Sequence, residues 1–264
     1  MFPFRDHNPS SRTPYVTYGL MLANVLIFLS YQPLFENNRA LMMFFCDWAA
    51  IPAAISQGQL LHGLVTSMFL HGGWLHLLGN MLFLFVFGDN LEDFLGHIGY
   101  LAFYLASGIA AGLAQVIADP ASTVPLVGAS GAIAGVMGGY MLLFPRARVD
   151  VLFIIVVLIF IRPISAWIVL GVWFGIQIFS GLATSGAGGG VAFWAHAGGF
   201  VVGLVLIAPV WLVRGGPEFW RRTHGHPAHP ETQYSRSRIP VTRRRAQKSG
   251  DMTRPPRVRR RRPY

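Results

Sequence analysis

Residues 127–139, with the sequence VGASGAIAGVMGG, decide how this chain folds. The stretch lies inside an apolar run and is built mostly of glycine and alanine. Such a composition makes a poor helix in water, but in lipid it lets neighbouring helices approach closely. Ser130 is its one polar side chain. On its own the pattern fits a packing face with an incidental serine, so a functional role for Ser130 depends on polar residues elsewhere in the chain.

The composition is that of a membrane protein rather than a soluble domain. The chain has 264 residues, of which 53% are hydrophobic and 12% charged, and its mean hydropathy is +0.47. Its length suits one compact helical bundle. The single cysteine, Cys46, excludes an internal disulfide. The net charge of +10 is concentrated in one place, because 15 of the 21 lysines and arginines lie in residues 214–264.

Six apolar runs predict an all-α membrane protein with a six-transmembrane-helix bundle. Arg5 and Arg12 precede the first run, as in a signal peptide, but no small-residue cleavage site follows, so the run is interpreted as a retained span. The predicted organisation is an N-terminal segment at 1–13, the bundle at 14–213 and a basic tail at 214–264. The predicted spans are residues 15–31, 74–88, 98–118, 128–144, 164–179 and 191–213.

The segments between the spans are less regular. Residues 34–70 predict a long first loop with short amphipathic pieces resting at the membrane interface. Residues 89–93 (DNLED) predict a short acidic turn, and the glycine-rich residues 181–190 predict a flexible loop. Residues 149–161 are very apolar, but 13 residues are too few to cross a bilayer. We therefore expect that segment to be interfacial or re-entrant.

The arginines predict how the chain is oriented. Six spans place both termini on one side of the membrane, together with Arg146, Arg148, Arg162 and the tail. The positive-inside rule then makes that side cytoplasmic, and a seventh span at 149–161 would put the tail outside. The predicted location is the inner (plasma) membrane. We expect the tail at 214–264 to be disordered and to bind anionic lipid headgroups, and we expect no nucleic-acid binding.

Helix arithmetic places four polar residues at similar depth. With a rise of about 1.5 Å per residue, Ser130 lies about 21 Å above the cytoplasmic end of its span. On the same measure His76 lies about 20 Å up, Asn80 about 14 Å and His196 about 27 Å. All four fall in the outer half of the membrane, and His76 and Asn80 share one helical face. Polar groups at that depth predict a functional site.

The chemistry that fits these groups is nucleophilic. A serine hydroxyl becomes a nucleophile when a base accepts its proton, and His196 is the candidate base. No Asp or Glu lies in the outer half of a span, so the sequence favours a Ser130–His196 dyad without a third member. His76, Asn80 and the Ser130 backbone N–H would stabilise an oxyanion. Two simpler interpretations stay open: His196 as a hydrogen-bonded packing residue, and His76 with Asn80 as interhelical hydrogen bonds.

These motifs resemble those of the rhomboid intramembrane serine proteases. The resemblance rests on Gly128-Ala129-Ser130-Gly131, on His71-x4-His76-x3-Asn80, on Gly88-Asp89-Asn90-Leu91-Glu92-Asp93, and on Ala195-His196-x2-Gly199-x3-Gly203, in the family's order. It implies a rhomboid-like bundle in which Ser130 is the nucleophile and His196 the base. It also implies a supporting role for His71 near the active-site water and a structural anchor at Glu92. Family substrates are single transmembrane helices cut near the outer face.

The chain departs from the family at two places. Many relatives carry Trp-Arg in the first loop, where this chain has His62-Gly63. Some relatives place an aromatic residue four positions after the serine, against the histidine ring, where this chain has Ala134. What stabilises the first loop, and what holds the His196 ring, are therefore left open.

The main alternative is a non-catalytic rhomboid-like chaperone or interaction protein. Such a protein is expected to lack the serine or the histidine, and both are present. A transporter would place charged residues or broken helices at mid-membrane, and a zinc protease would carry His-Glu-x-x-His. No metal or cofactor is predicted. We expect the loop at 181–190 to act as a lid that admits water.

Overall fold

The computed structural model describes residues 2–8, 10–155, 158–183 and 192–227. These residues belong to one compact unit, Met1–Pro230. The tail beyond residue 227 and residues 184–190 of the predicted lid lie outside the described residues. The predicted disorder is wrong for the first part of the tail, because Pro217–Thr223 form a helix that packs on the bundle through the buried Phe219 and a Trp220 Nε1–H that donates to the Leu142 carbonyl at 2.8 Å. The disorder of the rest of the tail, its lipid binding and the opening of the lid stay predictions.

The architecture is a bundle of six apolar helices, as predicted. Five helices are long and apolar enough to cross a membrane, and the sixth, which starts at Ser130, is a shorter apolar helix of 14 residues. The helices in chain order are α1 Tyr15–Tyr31, α2 Asn38–Trp48, α3 Pro52–Ile55, α4 Gly63–Thr66, α5 Trp74–Leu95, α6 His97–Ala118, α7 Ser130–Leu143, α8 Ala166–Ala183, α9 Phe193–Val213 and α10 Pro217–Thr223. The six bundle helices are α1 and α5 to α9.

The two ends of the bundle differ in charge. The end where α7 begins, called here the serine end, also carries the starts of α5 and α9. The opposite end, called the arginine end, carries Arg12, Arg146, Arg148 and Arg214. α7 has its N-terminus at the serine end, and its 14 residues extend only about 21 Å. α7 is the shortest of the six bundle helices.

Glycines allow α7 and α9 to pack backbone against backbone. A Cβ atom on Gly203 would collide with the carbonyl group of Gly135, and one on Gly199 would collide with the carbonyl of Gly131. One on Gly138 would collide with the carbonyl of Phe200. This small-residue interface sets the distance between the helix that starts at Ser130 and the helix that carries His196.

A small sheet at the arginine end was not predicted. Strands β1 Phe2–Asp6, β2 Arg148–Ile155 and β3 Leu158–Ser165 form a three-stranded antiparallel sheet in the order β1-β2-β3. Val149 and Val151 are fully buried against the bundle. Strands β2 and β3 therefore form a β-hairpin, which the sequence did not predict, while the interfacial placement of residues 149–161 stays a prediction. β3 also includes the first two residues of the predicted span at 164–179. α8 begins two residues later, at Ala166.

The acidic turn predicted at residues 89–93 is wrong, because α5 continues as a helix to Leu95. The reason is that Glu92 is buried and receives hydrogen bonds from the start of α1. Its carboxylate accepts from the Val16 backbone N–H at 2.9 Å, from the Thr17 N–H at 2.8 Å and from the Thr17 hydroxyl at 2.7 Å. It also pairs with His97. Glu92 therefore caps α1 and ties it to α5, in keeping with the anchor that the resemblance implies.

The first loop contains short helices that pack on one another. His62 Nε2 bonds to the Asp47 carbonyl oxygen at 2.7 Å, and the Thr66 hydroxyl donates to the Trp48 carbonyl. Gly63 lies so close to Ala49 that a Cβ there would collide with the Ala49 carbonyl. The His62-Gly63 pair, which departs from the Trp-Arg of many relatives, thus makes its own contacts between α4 and the end of α2.

Candidate active site

Ser130 is the first residue of α7, and a tight turn presents it there. Gly128 has a φ of +128°, a conformation that L side chains rarely adopt, and its N–H donates to the Ser67 carbonyl at 2.9 Å. A Cβ on Gly128 would lie 2.8 Å from His76 Nε2 and 3.3 Å from Ser130 Oγ. A side chain at position 128 would therefore crowd both His76 and Ser130.

The structure brings Ser130 and His196 together from two helices. His196 Nε2 lies 2.8 Å from Ser130 Oγ, a hydrogen-bond distance, although 66 residues separate them in sequence. The close α7–α9 packing makes this approach possible, since Gly199 is one turn below His196 and touches the first turn of α7. The pair is thus a serine hydroxyl within reach of an imidazole nitrogen, as nucleophilic activation requires.

The other edge of the His196 ring faces α8. His196 Nδ1 lies 2.9 Å from Gln177 Oε1. The ring of Trp173, one turn earlier on α8, lies with its centroid 5.9 Å from that of His196. Both of these contacts to the His196 ring come from α8, whereas position 134 carries only the small side chain of Ala134. The His196 ring is therefore held by residues of α8.

His76 is arranged as a hydrogen-bond donor. The Gly72 backbone N–H donates to His76 Nδ1 at 3.3 Å. Because an N–H can only donate, Nδ1 of the neutral ring must be the acceptor and Nε2 must carry the proton. Nε2 is the atom that lies beside Gly128 and Ser130. The N–H is therefore carried by the edge of a ring that lines the same cavity as Ser130.

Asn80 lies one turn below His76 on α5 and is buried. Its amide nitrogen donates to the His76 carbonyl at 2.9 Å, so one of its two N–H groups is occupied within the helix. The other N–H remains as a donor for the same cavity. At the start of α7 the Ser130 backbone N–H has no partner within the helix, as is general for a first helical residue. Two helices, α5 and α7, thus contribute polar groups to one cavity: the side chains of His76 and Asn80, and the backbone N–H of Ser130.

His71 supports the site from behind rather than lining it. It is fully buried, and its ring packs on that of His76 with centroids 5.2 Å apart. Tyr31 holds the His71 backbone with two hydrogen bonds. The Tyr31 hydroxyl donates to the His71 carbonyl at 2.9 Å and accepts from the His71 N–H at 2.6 Å. Burial, and secondarily His76, lower the pKa of His71 to about 3. The ring is therefore neutral near pH 7 and does not supply a charge.

One cavity of about 890 Å³ connects these groups. Gln115 of α6 also borders it, and its side-chain oxygen accepts the Ala195 N–H at 3.1 Å. That bond occupies one of the free N–H groups at the start of α9 and fixes the turn that carries His196. The residues of the site that line the cavity are His76, Asn80, Gln115, Ser130, Trp173 and His196.

Gln177, Trp173 and Gln115 were missed by sequence reasoning. A signal for two of them exists, because Gln115 and Gln177 are uncharged polar residues inside apolar spans, where polar groups are costly without partners. The rotation of Gln177 toward His196 could not be read from the sequence, since α8 is otherwise almost entirely apolar.

Six apolar helices around a serine–histidine pair define this chain as a polytopic membrane protein with an intramembrane polar site. A family model described as Rhomboid domain matches residues 57–212. This match covers more than half of the chain, and the chain therefore belongs to the rhomboid family.

Individual relatives agree with this assignment. The chain is 32% identical over 151 residues to rhomboid protein 1, mitochondrial, of Saccharomyces cerevisiae (54% of this chain, 40% of that protein). It is 34% identical over 157 residues to rhomboid-like protein 11, chloroplastic, of Arabidopsis thaliana (58% and 52%). It is 41% identical over 78 residues to the putative rhomboid protease YdcA of Bacillus subtilis (30% and 39%). The chain thus spans about half, or less, of the length of these relatives.

Proposed function

We propose that this protein is an intramembrane serine endopeptidase that cuts transmembrane helices of other membrane proteins. The observation that carries the proposal is the 2.8 Å contact between His196 Nε2 and Ser130 Oγ at the edge of a cavity within the bundle. Family membership supports it, as does the name of the B. subtilis relative. A non-catalytic family member would have no need for this contact.

The reaction follows from the positions of the atoms. Ser130 Oγ attacks the substrate carbonyl carbon while its proton passes to His196 Nε2. The oxyanion that forms is stabilised by His76 Nε2–H, an Asn80 N–H and the Ser130 backbone N–H. His196 then protonates the leaving amine nitrogen as the C–N bond breaks, which leaves an ester on Ser130. A water molecule, deprotonated by His196, hydrolyses that ester and restores the serine.

The substrate class follows from the location of the site. A stable helix buries its carbonyl groups in backbone hydrogen bonds, so a substrate must unwind near the serine end before Ser130 can reach a carbonyl. We propose that the bond cut lies near the outer end of the substrate helix, after a small residue. The arginines at the opposite end of the bundle support a cytoplasmic arginine end and an outward serine end. A bacterial plasma membrane is the proposed location, although relatives are also named as mitochondrial and chloroplastic.

The test is cleavage by the purified full-length protein in liposomes. The substrate is a single transmembrane helix with Ala at its outer end and a Gly-Pro pair further in, and mass spectrometry of the products locates the cut. We expect one cut next to the small residue. A matched substrate with Leu in place of Ala, Gly and Pro should be cut at least tenfold more slowly. If the purified wild-type protein, with Ser130 intact, leaves both substrates uncut, the proposal is wrong.

Asn80→Ala should slow cleavage without stopping it. It removes one oxyanion donor of three and leaves the Ser130–His196 contact in place, so kcat should fall about 10–1000-fold. The KM for the same substrate should change little, because the donor acts on charge that develops during the reaction. An unchanged kcat would remove Asn80 from the oxyanion site and leave it with its hydrogen bond to the His76 carbonyl within α5. Cys46→Ser, at an exposed position of the first loop, is the silent control.

A further inference from the structure

We infer that Gln177 is a positioning residue that sets the tautomer of His196. The inference rests on the proposed function but concerns a residue that neither the motifs nor the family resemblance singles out. Gln177 is buried on α8, 19 residues before His196 in sequence, and its side-chain oxygen lies 2.9 Å from His196 Nδ1. In the part of the chain that the structure describes, no Asp or Glu takes this position.

The orientation of the Gln177 amide is fixed by its second partner. The Gln177 side-chain nitrogen lies 3.4 Å from the Trp173 backbone carbonyl, one turn earlier on the same helix. A carbonyl oxygen can only accept a hydrogen bond, so the NH2 group must face Trp173 and the carbonyl oxygen must face His196. Turning the amide by 180° would place two acceptors against each other at Trp173 and would lose that bond.

The orientation of the amide determines which nitrogen of His196 carries the proton. Because Gln177 Oε1 can only accept, Nδ1 must be the protonated nitrogen of the neutral ring. Nε2 then has a free electron pair, and it is the atom 2.8 Å from Ser130 Oγ. The ring can therefore take the Ser130 proton in the first step. With the opposite tautomer, Nε2–H would point at Ser130 and the serine could not be deprotonated.

The same contact limits what Gln177 can do. A neutral amide orients the ring and its dipole favours the protonated imidazole that forms when Ser130 attacks, but it brings no negative charge. A carboxylate at this place would itself have to be desolvated inside the membrane, at considerable cost. An amide can therefore select the tautomer, as the third member of a catalytic triad does, without a buried charge. The Trp173 ring lies on the same helix with its centroid 5.9 Å from that of His196.

The test measures the tautomer directly and does not require cleavage. In protein labelled with 15N-histidine, the signal of His196 is assigned by its loss in His196→Ala. Wild-type protein should show His196 protonated at Nδ1 and bare at Nε2. In Gln177→Leu, which removes the acceptor at nearly constant size, the proton should move to Nε2, the tautomer that free histidine favours. Wild-type His196 protonated at Nε2 would overturn the inference without any variant.

Kinetics give a second, independent readout. In Gln177→Leu, kcat should fall about 10–100-fold while KM stays within about twofold. The substrate cavity is unchanged, but a smaller fraction of the His196 rings is in the tautomer that can accept the Ser130 proton. Ile168→Ala, at an exposed position of the same helix, is the matched control and should keep the wild-type tautomer and rate. If Gln177→Leu folds with the wild-type tautomer and kcat, Gln177 is only a packing residue. If wild-type protein never cleaves but shows the Nδ1–H tautomer, the proposed function fails and this inference stands.

Discussion

Ser130→Ala and His196→Ala should each reduce cleavage of the helical substrate by at least about 10³-fold, to the background of the liposome assay. Ser130→Ala removes the atom that forms the bond to the substrate carbonyl carbon. His196→Ala removes the proton acceptor 2.8 Å from that atom. Because the two side chains act as one unit, the double variant should be no slower than either single variant, a non-additivity that independent contributions would not give.

A serine-directed fluorophosphonate gives a readout that does not depend on the choice of substrate. Wild-type protein should be labelled at Ser130, and His196→Ala should be labelled far more slowly, since an unactivated hydroxyl is a weak nucleophile. Ser30→Ala and His224→Asn are matched controls, because both residues lie at exposed positions away from the cavity. Retained cleavage in Ser130→Ala or in His196→Ala would discard the dyad. Equal labelling of wild-type protein and His196→Ala would discard His196 as the base.

The parts of the fold that could be predicted are those that a bilayer imposes. A run of about 20 apolar residues has to be a helix in lipid, so α1, α6 and α9 are read from the sequence almost residue by residue. The start of α7 at Ser130 lies within two residues of the start of the apolar run predicted at 128–144. The four polar residues of the site were found because polar side chains in apolar spans are few and costly.

The parts that could not be predicted depend on contacts between distant segments. β1 pairs with β2 across more than 140 residues, and an apolar run of 13 residues has no feature that distinguishes a buried strand from an interfacial segment. The acidic residues 89–93 stay helical because Glu92 is bonded to α1, which a local pattern cannot reveal. Gln177 and Trp173 reach His196 through the rotation of α8, and an all-round apolar helix gives no indication of its rotation.

The α7–α9 interface leads to the second large effect, at Gly203. We expect Gly203→Leu to destabilise the bundle by at least about 3 kcal/mol and to abolish cleavage. Even the Cβ of a substituted residue would collide with the Gly135 carbonyl and Cα, and these are backbone atoms of a buried helix that cannot turn aside. The helices would have to move apart two turns below His196, which would withdraw Nε2 from Ser130 Oγ.

The measurement is the midpoint of unfolding in detergent, together with liposome cleavage at a temperature where the variant is still folded. Gly171→Leu is the matched control, because a Cβ at Gly171 meets no atom within 4 Å on the similarly apolar helix α8, and it should unfold and cleave like the wild type. Gly203→Ala should have an unfolding midpoint and a cleavage rate between those of the wild type and Gly203→Leu. Its Cβ already collides with Gly135, and the further carbons of leucine make the collision worse. A midpoint for Gly203→Leu equal to that of Gly171→Leu would mean that α7 and α9 do not meet backbone to backbone. The distance between Ser130 and His196 would then have to be set by the helices that flank them, α6 and α8.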